Sequence, residues 1–241
     1  ASSADVPEMP KEVVSTLGVS SEVAGGSISS NPSVDQTWTG NITITASITI
    51  PSGITITATS ATLSIADNAT ITVEGTLTAT STTFKKQPTA WGGLLISSGS
   101  AVTLTSCTLQ DADTLIVSTA ASPTIQNSTL NPTRCAINIR TSGSPVISGN
   151  TFTSASGAQL AAAAVVVAQN ASASVTFKNN TTTKLGNTNN YNANFLVNRG
   201  FTGTVTASGN RFTGDHAAFD GFAFLSESDN GTFTFTSDVY T

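Results

Sequence analysis

Charge is scarce in this 241-residue chain: only 10% of its residues are Asp, Glu, Lys or Arg, and the net charge is −5. Nine basic residues scattered along the sequence exclude a nucleic-acid footprint, which needs clustered Lys and Arg. Histidine occurs once, at His216, which rules out a His-rich metal site. The two cysteines, Cys107 and Cys135, have neither the number nor the spacing of a zinc site or a disulfide framework. They read as small buried residues with free thiols. Long apolar runs are missing too; the longest, Leu160 to Ala168, is about half of what a bilayer-crossing helix requires. No metal and no cofactor is implied. The chain opens Ala-Ser-Ser without Met, as a secreted chain does after signal cleavage and as a chain cut from a longer one also does.

What the chain has in quantity is Thr, Ser and Asn, interleaved with apolar residues in runs such as ITITASITI, ATITV and GTLTA. Alternation with period two is the mark of strands, and β-branched Thr, Val and Ile suit a pleated surface. The runs also repeat. Ile56, Ala79, Leu104, Ile125, Ile147, Phe177, Ala207 and Phe235 recur at steps of 23, 25, 21, 22, 30, 30 and 28. Three positions after each comes Thr59, Thr82, Cys107, Ser128, Asn150, Asn180, Asn210 or Asp238. A second column runs through Leu95, Ile116, Ile137, Val166, Leu196 and Phe224. A period of this length predicts a solenoid, in which each unit buries its apolar side against its neighbours. Three short strands per turn give a coil with parallel pairing between turns, and about eight or nine coils fit the chain.

Both columns lengthen after Phe152, so the additional residues form loops at one corner, 153–162, 183–193 and 213–221. Residues 1–37 lie outside the repeat. Pro10 to Leu17 is predicted as a short helix that caps the solenoid, and the Gly/Ser-rich stretch Gly25 to Asp35 as a linker to the repeat at 38–241.

The run IPSGITIT, ATITVEGTLTATSTTF and WGGLLISSGSAVTLTSCTLQDA, followed by SPTIQNSTL and SPVISGNTF, resembles the secreted right-handed parallel β-helix repeat proteins with a pectin-lyase-like fold. The resemblance covers Trp38 to Thr241. It implies an all-β, single-stranded right-handed parallel β-helix, secreted or held at a cell surface, with Asn150, Asn180 and Asn210 as a stacked asparagine ladder. Function does not follow from such a scaffold. Relatives that cleave polysaccharides carry clustered Asp residues on adjacent coils. Here Asp111 and Asp113 have no carboxylate one coil later, and Arg134 and Arg140 are placed to face Asp113 as a surface ion pair. No residue is assigned a catalytic role.

Two surfaces qualify as binding sites. The loop corner gathers Lys184, Asn190, Tyr191, Asn192, Arg199, Asp215 and His216, with Asn187, Asn189, Phe219 and Asp220 nearby. An aromatic ring with amides and one acid suits a polysaccharide, through stacking and hydrogen bonds to hydroxyls. The same residue types also simply build and pin turns. The outward face of one strand column is a Thr-x-Thr array that includes Thr78, Thr80, Thr103, Thr105, Thr206, Thr234 and Thr236. It resembles the ice-binding face of antifreeze β-helices, with Gln126 and Lys178 interrupting it. The last coil, Gly231 to Tyr240, carries no polar cap, which predicts end-to-end stacking on another copy or on other surface components. The expected function is a non-catalytic structural or adhesive module. A carbohydrate-binding protein and an ice-binding protein are the alternatives.

Overall fold

A computed structural model describes residues 20–153, 163–183, 193–213, 222–228 and 230–240. Every regular element among them is a β-strand, and the strands pair in parallel across two sheets. The chain winds as a parallel β-helix with three strand faces per turn. One face is an eight-stranded sheet: Ile48–Ile50, Thr70–Val73, Gly93–Ile96, Thr114–Thr119, Cys135–Arg140, Ala163–Val167, Ala193–Val197 and Phe222–Ser226. The other two faces belong to one seventeen-stranded sheet bent around a corner.

In its first three rungs a single strand runs through that corner: Ser20–Ile28, Asp35–Ile44 and Thr55–Ala66. Seven further rungs split there into two short strands, beginning at Thr76, Ala101, Thr124, Val146, Ser174, Thr204 and Thr232. Ten rungs at ~4.8 Å make a rod about 43 Å long between its end strands.

The corner is built from two successive residues with different tasks. The first turns the chain with a positive φ: Ser60, Ser81, Ser106, Asn127, Gly149, Asn179, Gly209 and Ser237, all between 49° and 66°. Only glycine takes that conformation without strain, and Asn tolerates it better than most. Where glycine sits, the Asn one rung earlier covers it. A Cβ on Gly149 would lie 2.4 Å from Asn127 Oδ1, and one on Gly209 would lie 2.5 Å from Asn179 Oδ1.

The second residue points inward and forms the ladder. Backbone N–H groups of Cys107, Ser128, Asn150, Asn180 and Asn210 donate to the side-chain oxygens of Ser128, Asn150, Asn180, Asn210 and Asp238, at 2.8–3.0 Å. The amide nitrogens of Asn150, Asn180 and Asn210 return bonds of 2.8–3.0 Å to the carbonyls of Ile125, Ile147 and Phe177. Buried corner groups that no strand can pair are thereby satisfied from within.

The core changes character along the rod. Early rungs stack Ile42, Ile44, Ile56, Leu63 and Ile65 around Trp38. From Phe152 onward it becomes aromatic: Phe177 contacts Phe152, Phe195 and Phe212 at centroid distances of 5.3–6.2 Å. Offset and edge-on ring pairs add about 0.5–1.5 kcal/mol each beyond area burial. Cys107 and Cys135 are buried and unbridged.

The structure differs from the sequence expectation in four places. Ser20–Ile28 is a strand lying on Asp35–Ile44, with Val23 opposite Trp38. The helix of strands thus begins inside the segment assigned to a cap and linker, and Gly25 and Gly26, at φ 90° and 96°, make its corner. Ala79 pairs with Ala58, not Ile56, so the first step of that column is two residues too long. In the eight-stranded face, Ile116, Ile137 and Phe224 point inward in register with Leu94, whereas Leu95, Val166 and Leu196 lie in the adjacent column. Asp113 accepts from Thr133 Oγ1 at 2.6 Å, and the ion pair at this turn is Lys86 with Asp111, at 3.8 Å. The helix proposed at Pro10 to Leu17 lies outside the described residues.

Candidate functional site

Three surface features stand out from the scaffold. The first is the threonine face. Its central outward column is Thr37, Thr57, Thr78, Thr103, Thr124, Val146, Thr176, Thr206 and Thr234, in continuous register. Beside it run Thr59, Thr80, Thr105, Gln126, Ser148, Lys178, Ser208 and Thr236. All seven threonines assigned to this array lie on it, and Thr37 and Thr57 extend the column beyond them. Neighbours are ~4.8 Å apart across rungs and about 6.6 Å apart along a strand. Gln126 does not break the surface chemically, because its Nε2 donates to Thr105 Oγ1 at 3.1 Å. Around the ladder corner a second column follows: Thr62, Thr83, Thr108, Thr129, Thr151 and Thr181. Sequence patterning missed it because its strands are only three residues long in several rungs.

The second feature is the rung carrying Thr232–Thr236 and Val239–Tyr240. Phe235 and Val239 are 49% and 48% exposed. With Phe177, Phe195, Ala207, Phe212 and Phe224 they border an apolar cavity of about 160 Å³ that also touches Asp238. Asp238 Oδ1 closes the ladder, while its Oδ2 is buried without a hydrogen-bond partner among the described residues.

The third is a polar groove of about 460 Å³ at the corner that follows the eight-stranded face, lined by Gln169, Asn198, Arg199 and Glu227. Arg199 was grouped in sequence with the loop residues. It stands instead past the far end of Ala193–Val197, across a five-residue strand from residue 192. The other six members of that group, Lys184, Asn190, Tyr191, Asn192, Asp215 and His216, lie outside the described residues, as does most of each of the three loops. Gln169 and Glu227 carry no motif, and only the fold brings them to Arg199.

Two buried thiols titrate above the ordinary cysteine range. Burial pushes Cys135 up to about 12, against the weaker opposing pull of the Arg134 guanidinium. Burial also raises Cys107, whose Sγ donates to Ala79 O at 3.4 Å. A thiol held protonated is a poor nucleophile and a poor metal ligand. Among the described residues, no three His, Cys, Asp or Glu side chains gather closely enough to hold a metal ion, and no helix is long and apolar enough to cross a membrane.

Comparison with curated proteins finds none that matches this sequence. Residues 41–237 match the family described as the right-handed β-helix region. That span takes in seven of the ten rungs whole and parts of two more, and its defining parallel coils are those described above. The chain belongs to the right-handed β-helix family.

Proposed function

We propose that this chain is a non-catalytic structural or adhesive module, working outside the cell or at its surface, that stacks end to end. The observation that carries the reading is the rung bearing Phe235 and Val239. Two large apolar side chains, each about half exposed, flank an apolar cavity on the rung Thr232–Thr236. Burying them is favourable by roughly 25 cal/mol per Å² of apolar area. A head-to-tail contact of this kind does not close on itself and propagates as a filament.

Light scattering over a concentration series, with electron microscopy of the same samples, tests this. Mass should grow with concentration, and filaments should show a subunit repeat near the rod length. Phe235→Asp with Val239→Lys should abolish both. A parent chain that stays a monodisperse monomer at every concentration refutes the assembly reading.

A second reading, ice binding, is favoured by one observation: the central column, in continuous register, carries Thr at eight of nine positions, with Val146 as the exception. Inhibition of ice recrystallisation that disappears on Thr105→Tyr would establish it. Activity unchanged by that substitution would remove this face from consideration.

A further inference from the structure

We infer that the groove formed by Gln169, Asn198, Arg199 and Glu227 is a binding site for a neutral saccharide. The inference stands apart from end-to-end assembly, because this corner and the rung bearing Phe235 use different residues. It also moves carbohydrate recognition away from the loops to which the sequence assigned it.

The four side chains come from three successive rungs. Asn198 N–H donates to Val167 O at 3.1 Å and Glu227 N–H to Val197 O at 2.9 Å, so the turns stack at rung spacing. Asn170 N–H donates to Arg199 O at 3.0 Å, which ties the Gln169 turn to the Arg199 turn. The corner backbone is therefore fixed by its own hydrogen bonds, and the side chains project from a rigid base. Asn198 is further oriented: its Nδ2 donates to Val167 O at 2.9 Å, which leaves its Oδ1 as the available acceptor. Among the described residues, the side chains of Gln169, Arg199 and Glu227 have no hydrogen-bond or ion-pair partner. Charged and amide groups that converge on a groove without pairing one another are available to a ligand.

The chemistry of the lining selects the ligand class. Among the described lining residues one guanidinium and one carboxylate cancel, so they give no net attraction for a polyanion, and the chain's charge of −5 opposes one. Among the described residues no aromatic or aliphatic side chain lines it, so they give an apolar ligand or a nucleobase nothing to bury against or stack on. What remains is a mixed set of donors and acceptors. Arg199 only donates, Glu227 only accepts, and Gln169 does both. A hydroxyl also does both, and a pair of adjacent hydroxyls can meet a carboxylate and a guanidinium fork together. A volume of about 460 Å³ lies within the usual range for small-molecule sites, about 300–1,000 Å³. Because the turns stack in register, the ligand lies along the rod axis.

Isothermal titration of the whole chain with hexaoses of β-linked glucose, xylose and mannose tests the assignment, with a galacturonate hexamer as the charged comparison. At least one neutral hexaose should bind at millimolar concentration or better. Arg199→Ala and Glu227→Gln should each weaken it about tenfold or more, the effect expected when a hydrogen bond to a charged group is removed. Arg199→Lys, which keeps the charge and loses the fork, should also weaken it, and all three variants should melt with the parent. The inference is overturned if no neutral hexaose binds. It also fails if binding survives Arg199→Ala and Glu227→Gln but is lost on Tyr191→Ala, or if the galacturonate hexamer binds more tightly than every neutral one.

Discussion

Replacing Asn180 by alanine tests the idea that the ladder, and not only the apolar core, holds the rungs in phase. Asn180 Oδ1 accepts from Asn150 N–H at 2.9 Å, and its Nδ2 donates to Ile147 O at 3.0 Å. Asn180 is 1% exposed and Asn150 likewise, so water cannot replace either bond. Alanine leaves one buried N–H and one buried C=O without partners. Each orphaned group costs about 1–3 kcal/mol, so Asn180→Ala should destabilise by about 2–6 kcal/mol. Against a total of about 5–15 kcal/mol for a folded domain, that is a large fraction. Urea unfolding followed by circular dichroism is a suitable assay. With a slope of about 1–3 kcal/mol per molar urea, the midpoint should fall by at least about 0.7 M. Ser128→Ala provides a graded comparison. Ser128 Oγ accepts only from Cys107 N–H, at 3.0 Å, and donates to Gln126 O, so its loss should cost less. Solenoids also unfold by neighbouring units, so a reduced slope in Asn180→Ala would mean the rungs beyond it detach first. A midpoint within 0.2 M of the parent would refute the ladder's energetic role, whatever its geometry.

Two other substitutions follow from buried groups. Thr182 sits at 0% exposure in register between Phe152 and Phe212, and its Oγ1 has no hydrogen-bond partner among the described residues. Thr182→Val should therefore raise stability by about 1 kcal/mol, seen as a higher melting temperature, and a lower one would contradict the assignment. Cys135 gives a pH signature. Its pKa rises from about 9 in the unfolded chain to about 12 in the fold, because burial disfavours the thiolate. Its contribution is complete below pH 9 and is lost as pH climbs toward 12, since the unfolded state sheds its proton first. Denaturation curves between pH 8 and 11 should show this decline in the parent and a shallower one in Cys135→Ala.

The period, the three faces and the asparagine ladder were legible in the sequence because inward positions accept few residue types. Asn150, Asn180 and Asn210 recur at one phase, and each is at most 2% exposed. Register was less legible. In Ile54-Thr-Ile56-Thr-Ala58 a shift of two preserves the alternation, so Ile56 and Ala58 compete for the place opposite Ala79, and only pairing decides. In the eight-stranded face, Leu115 and Ala136 are buried beside inward-facing Ile116 and Ile137, so both parities look apolar. Ser20–Ile28 escaped because its corner needs Gly25 and Gly26, which read as linker. The polar groove was beyond reach for a different reason. Its residues come from turns about 30 positions apart and share no motif, so only their stacking reveals it.

The two ends of each strand pair tolerate errors very differently. At the third corner the chain leaves Thr129–Asn131 and reaches Cys135 after residues 132–134, whereas one rung later residues 154–162 intervene before Ala163. The strands on either side keep their pairing all the same. At the ladder corner the passage is always one left-handed residue followed by one inward residue, from Ser60 to Asp238. Adding or removing a residue there would swap inside for outside along the next strand. One corner thus acts as a clock that keeps every turn in step, and the other is slack in which sequence can be gained without disturbing the count. New recognition surfaces on this rod can therefore be added at the slack corner without changing how the rod folds.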